Sequence, residues 1–189
     1  LGAIDDSRFQ EGAAQLCIER TLKFWRDWIG QSNYRGRWRE MVNRSALALK
    51  LLTSRKHGAI LAAATFGLPE TAGGERNWDY RYTWIRDASF TVYAFMRLGF
   101  VTEANAYMKW LRGRVSDCNG SPMKLNILYA VDGRQELPET ELTHFAGHGG
   151  AKPVRIGNQA YEQVQLDIFG ELMDAVYLVN KYGDAISHE

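Results

Sequence analysis

The chain lacks several things that would narrow its function at once. It has only two cysteines, Cys17 and Cys118, at a spacing that makes neither a disulfide framework nor a metal site. Its net charge is +1, so no electrostatic pull toward nucleic acid or a membrane surface follows. No apolar run approaches the length of a membrane span. The opening "LGAIDDSRFQEG" has neither the basic start nor the apolar stretch of a secretory signal, and a cytoplasmic location is the expectation. Four histidines are present, and only His144 and His148 lie close together. Their i, i+4 spacing would suit a metal on a helix, but the surrounding glycines favour a loop. No calcium-loop pattern occurs.

Rings, by contrast, are plentiful. Aromatic residues make up 12% of the chain, and six of them are tryptophans. Rings gather in ligand grooves as well as in cores, so the excess alone decides nothing. At 189 residues the chain can bury one sizeable core. No repeat, low-complexity tract or linker divides it, so residues 1–189 are read as part of one domain.

Hydrophobic spacing predicts five helices. Ile18, Leu22, Trp25 and Ile29 share one face over 13–30, and Trp38, Val42, Leu49 and Leu52 do so over 37–53. "DASFTVYAFMRL" (87–98) is apolar on nearly every face and reads as a buried helix stopped by Gly99. Residues 102–115 are amphipathic and read as an outer helix. The longest pattern, 159–182, aligns Val164, Ile168, Leu172, Ala175 and Val179, with Gly183 placed to end it. "GAILAAATFGLP" and "LNILYAV" are short, apolar and turn-bounded, and read as extended pieces. The 134–157 loop is longer than ordinary connections, as functional loops often are. Alternating buried and amphipathic helices predict an all-α fold in two layers.

"RNWDYRYTWIRD" (76–87) is the densest stretch. Trp78, Tyr80, Tyr82 and Trp84 recur with period two, which in an extended segment sends all four rings to one face. Such a row suits the apolar C–H face of a sugar, and the adjacent Arg86 and Asp87 offer donors and acceptors for its hydroxyls. Other readings stand beside this one. Trp78 and Tyr82 could be plain core, Asp87 could be the N-cap of the next helix, and Arg86–Asp87 could be a structural ion pair.

"GLPETAGGERNWDYRYTWIRDASFTVYAFMRLGF" resembles the signature of glycoside hydrolase family 15, the family of glucoamylases, glucodextranases and bacterial-type trehalases. "YRGRWREMVNRSALALKLLT" and "LPETELTHFAGHGGAKPVRIGNQAYEQVQLDIFGELMDA" resemble further family segments, in the family's order, and together these cover most of residues 20–182. The spelling "RNWDYRY" is similar to the bacterial branch rather than the fungal one.

The resemblance implies an (α/α)6 barrel of which this chain is about the first half, with any β-sandwich domain lying upstream. It implies an inverting, exo-acting hydrolase of α-linked glucosides such as oligosaccharides, trehalose or dextran, which needs no cofactor. By motif position, Arg86 and Asp87 match the pair that binds the terminal glucose. Tyr80 matches a tyrosine near the reacting carbon, and Trp84 a tryptophan of the pocket wall. Lys152 and Arg155 match basic positions near the groove, although arginine is the commoner residue at the place of Lys152. The tryptophan that stacks at this loop in fungal members has no counterpart in "AGHGGAKP".

Inversion needs one carboxyl as acid and a second as base. The chain offers Glu70, Glu75, Glu136, Glu139, Glu141, Glu162 and Glu171, but the resemblance places the catalytic acid and base in later segments. The expectation is therefore a sugar-holding segment with no catalytic residue of its own, completed by the remainder of the barrel. Two other classes stay open: a noncatalytic carbohydrate-binding or regulatory module on the same barrel, and a helical scaffold whose rings are all core.

Overall fold

The structure is a computed structural model and describes residues 12–118 and 125–182. Those residues hold five α-helices and four two-residue strands. The helices are α1 (Ala13–Gly30), α2 (Arg39–Leu51), α3 (Ile85–Leu98), α4 (Val101–Asp117) and α5 (Asp167–Tyr182). The chain is thus helix-rich with little strand, as its periodicity predicts.

Helix α3 lies at the centre. It packs most extensively against α5, then against α4, and touches α2. Its Ile85, Ala88, Val92 and Phe95 are essentially inaccessible to solvent. Burial is one-sided all the same. Phe90 is 59% exposed and Tyr93 44%, because no described element covers that face. Gly99 ends α3 in the left-handed region, where a residue without Cβ is at ease, and its N–H returns to the Met96 carbonyl.

Rings form much of the core around α3. Trp28 of α1 stacks on Phe100 with centroids 4.0 Å apart, and Phe95 meets both edge-on. Tyr107 and Trp110 of α4 pair beside Tyr129.

The predicted helix over 159–182 divides in two. Gln159–Glu162 forms a short 3-10 turn, capped by the Asn158 side chain, which accepts the Ala160 N–H. Gln163 is extended, and α5 starts only at Asp167. Val164, expected on the buried face, is exposed as a result. Gly183 lies outside the described residues.

The extended pieces build the floor beside the helix starts. β1 (Thr83–Trp84) pairs antiparallel with β2 (Leu128–Tyr129), the core of "LNILYAV". Ala62 and Ala63 of the "GAILAAATFGLP" segment donate to the carbonyls of Tyr82 and Tyr80. The long loop is a bent hairpin in which β3 (Thr140–Glu141) pairs with β4 (Arg155–Ile156). Among the described residues no helix is long and apolar enough to cross a membrane.

Candidate functional site

Residues 76–87 run extended into β1 and then turn into α3. Three of the four rings behave as period two requires. Trp78, Tyr80 and Trp84 line one cleft of about 390 Å3, within the usual size range of small-ligand sites. Tyr80 and Trp84 meet with centroids 5.7 Å apart at a tilt of 45°. Tyr82 departs from the row. The Arg81 N–H bonds to the Asp79 side chain two residues back, a local turn, and the chain bends at Tyr82. Tyr82 therefore lines a separate hollow with His57, Arg81 and Asp132. Trp78 is half-buried and stands outside the core, whereas Tyr82, also half-buried, packs against it.

The opposite wall of the cleft comes from the long loop. Arg155 lies 5.0 Å from the Trp78 ring centre, a cation–π distance. Its Nη1 donates to Glu139 Oε2 at 3.2 Å, and Glu139 Oε1 accepts the Gln159 N–H at 3.0 Å. Arg155 Nε is closed off from solvent without a hydrogen-bond partner. Gln159 and Gln163 add amide groups to the rim. Aromatic faces edged by a guanidinium, a carboxylate and amides can hold a polyhydroxylated ring.

Arg86 and Asp87 stand in the first turn of α3, beside this cleft rather than lining it. Arg86 Nη1 donates to Gln165 Oε1 at 3.1 Å and to Asp167 Oδ2 at 3.0 Å, tying the start of α3 to the start of α5. Its Nη2 lies 3.3 Å from Asp87 Oδ2. That oxygen is shielded from solvent and makes no hydrogen bond. The N-cap reading of Asp87 fails, because the helix begins at Ile85 and Trp84 holds the cap position. An acid in the first turn still gains from the helix dipole.

Tyr80 feels both sides of this arrangement. Burial, then the negative charges of Glu70 and Asp87, push its phenol above its ordinary range. The hydroxyl accordingly stays protonated, and a donor, through neutral pH. Arg86 is held firmly charged, chiefly by its bond to Asp167.

Lys152 is not brought to the cleft. It is exposed and lines a different hollow, of about 350 Å3, with Glu141, Thr143 and Phe145. Sequence reasoning counted Glu139 only among possible acids, whereas here its carboxylate is engaged by Arg155 and a backbone amide. Asn158, Gln159 and Gln163 were missed altogether. A usable signal existed in the polar residues between the rings, since Asn77 and Asp79 are fully buried.

Layered helices whose connecting segments build a ring-walled, hydrogen-bonding cleft define an all-α protein with a site suited to a polar cyclic ligand. The chain belongs to the glycosyl hydrolases family 15, whose model matches residues 36–189. It is similar to a trehalase of Mycolicibacterium smegmatis, 44% identical over 94% of this chain and 26% of that protein. A trehalase of Thermoplasma acidophilum is 40% identical over 91% of this chain and 29% of its own length. A trehalase of Mycobacterium tuberculosis is 45% identical over 84% and 24% respectively. The chain thus spans less than a third of the length of these curated relatives. No solved structure matches it.

Proposed function

We propose that this chain is the glucose-holding part of an inverting α-glucoside hydrolase, with trehalose as its substrate. One observation carries the site: Trp78, Tyr80 and Trp84 share a cleft with Arg155 and Glu139 beside the Arg86–Asp87 pair. The choice of trehalose is supported by the trehalases to which most of the chain is similar.

In this reading Asp87 accepts hydrogen bonds from hydroxyls of the terminal glucose. Its Oδ2 is shielded and faces Arg86 at 3.3 Å, which leaves Oδ1 of the half-exposed side chain as the oxygen open to a hydroxyl. Arg86 donates to the same sugar while braced by Asp167. Tyr80, kept protonated, donates near the reacting carbon, and Trp84 closes the wall behind it. Arg155, steadied by Glu139, faces the second sugar over Trp78. Proton transfer belongs to two further carboxyls, roughly 6.5–9.5 Å apart so that a water fits between base and sugar. We assign them to the remainder of the barrel, because Glu139, the carboxylate of this cleft, is already held by Arg155 and the Gln159 amide.

The test is an assay of the intact protein on trehalose, maltose and dextran, following the anomer first released by proton NMR. Trehalose is expected to be cleaved fastest, releasing in equal amounts β-glucose from the inverted residue and α-glucose from the leaving residue. Faster cleavage of maltose or dextran would overturn the substrate choice. Initial release of α-glucose alone would overturn inversion.

A further inference from the structure

Behind the ring row lies a second row. Asn77 and Asp79 alternate with Trp78 and Tyr80, and both are fully buried. Asp79 Oδ1 accepts the Arg81 N–H at 3.1 Å and Arg81 Nε at 2.9 Å. Its Oδ2 accepts Arg81 Nη2 at 2.8 Å and the Gly157 N–H at 3.2 Å. The Asp79 carbonyl takes Asn158 Nδ2 at 3.0 Å. Asn77 Nδ2 donates to the Pro153 carbonyl at 2.9 Å. The hidden face of the signature thus grips the long loop at residue 153 and again at 157–158. Arg155 stands between the two grips.

The same grip reaches Glu139. Gly157 has φ +86°, and a Cβ there would run into the Pro138 carbonyl oxygen. The Asn158 N–H bonds to the Leu137 carbonyl. The two limbs of the loop therefore pass in contact beside Asp79, one carrying Arg155 and the other Glu139. A buried carboxylate is costly unless every partner is in place, so it fixes one geometry where an apolar side chain would tolerate several.

The geometry points to Asp79 as a positioning residue, which holds loop residues 153–158 so that Arg155 and Glu139 face the sugar cleft. This rests on the sugar-cleft reading above. Asp79 touches no substrate; it acts through the loop.

The experiment is a double-mutant cycle in the intact protein. Asp79→Asn keeps the shape and one acceptor but removes the charge. Its kcat/KM on trehalose is expected to fall about tenfold or more, since small misplacements at a binding group are costly. The loss should sit more in KM than in kcat. Arg155→Lys should lose a similar amount, and the double variant little more than the worse single one. Additive losses, or an unchanged kcat/KM in Asp79→Asn, would overturn the proposal.

Should Asp79→Asn fail to fold, Asn77→Ala loosens the neighbouring grip, the Asn77 bond to the Pro153 carbonyl, with the same expectation. Amide exchange gives a readout independent of activity. Amides of residues 153–158 should exchange faster in either variant, and unchanged exchange counts against the positioning role. A wild-type protein inert toward trehalose would sink the functional reading, while the exchange result would still decide this one.

Discussion

At the scale of single residues, Asp87 carries the sharpest expectation. Its carboxylate is only about half-exposed, is flanked by Arg86, and leaves Oδ2 without a hydrogen bond. It does not cap α3, so removing it costs the helix only a first-turn charge, about 0.3–1 kcal/mol. Hydroxyl contacts at the reacting sugar strengthen in the transition state, so the catalytic cost should be far larger. Asp87→Ala in the intact protein is expected to lose two or more orders of magnitude in kcat/KM, with its unfolding midpoint within a few degrees of wild type. Full activity would remove Asp87 from the sugar site. Loss of folding would return it to a structural role.

The row of rings was legible in the sequence, because period two is a property of extended backbone and needs no tertiary knowledge. The sequence could not announce that Tyr82 leaves the row. That depends on the Arg81 N–H finding the Asp79 carboxylate, a bond that competes with the extended run. Nor could spacing place Lys152 outside the cleft, since position along a loop says little about which side of a bent hairpin a residue takes.

At the scale of elements, apolar spacing marked helices even where their apolar faces stay open to solvent, as along most of α1 and α2. α1, α2 and α4 follow their apolar spacing to within about two residues at either end. The 159–182 pattern misled because Asn158 and Gln163 redirect the backbone through hydrogen bonds that periodicity does not register. A pairing invisible to periodicity also joins three helices. Glu103 of α4 is buried, and one of its oxygens accepts both Trp28 Nε1 of α1 at 2.8 Å and Lys50 Nζ of α2 at 2.6 Å. Glu103→Ala would strand an indole N–H and a largely buried ammonium. Breaking such a pair costs about 3 kcal/mol, somewhat less here because Lys50 keeps some contact with water. Glu103→Gln retains an acceptor for Trp28 and should lose about half as much. Urea unfolding of the intact protein measures both. Equal stability of Glu103→Ala and wild type would mean that the three helices are held by apolar packing alone.

At the scale of the molecule, what stands out is how much apolar surface the described helices leave uncovered. α1 presents Leu16, Ile18, Leu22 and Phe24 to solvent, α3 presents Phe90 and Tyr93, and α5 presents Met173 and Tyr177. A hollow of about 690 Å3 is an apolar groove between α2 and α3 walled by Trp38, Met41, Leu49 and Tyr93. It lies apart from the ring cleft, and Arg97 is the one charged side chain on its wall. Monomers rarely leave contiguous apolar surface on this scale open to water. A second layer of helices is what such faces need, and the curated relatives are more than three times the length of this chain. Residues 1–189 expressed alone should therefore associate. Light scattering after size exclusion is expected to give a mass well above 21.5 kDa, with strong binding of a hydrophobic dye. Supplying the remaining segments of the full-length protein should abolish both. A monodisperse particle of 21.5 kDa that unfolds cooperatively and ignores the dye would show that these faces are self-sufficient, and would count against their being the seam of a larger barrel.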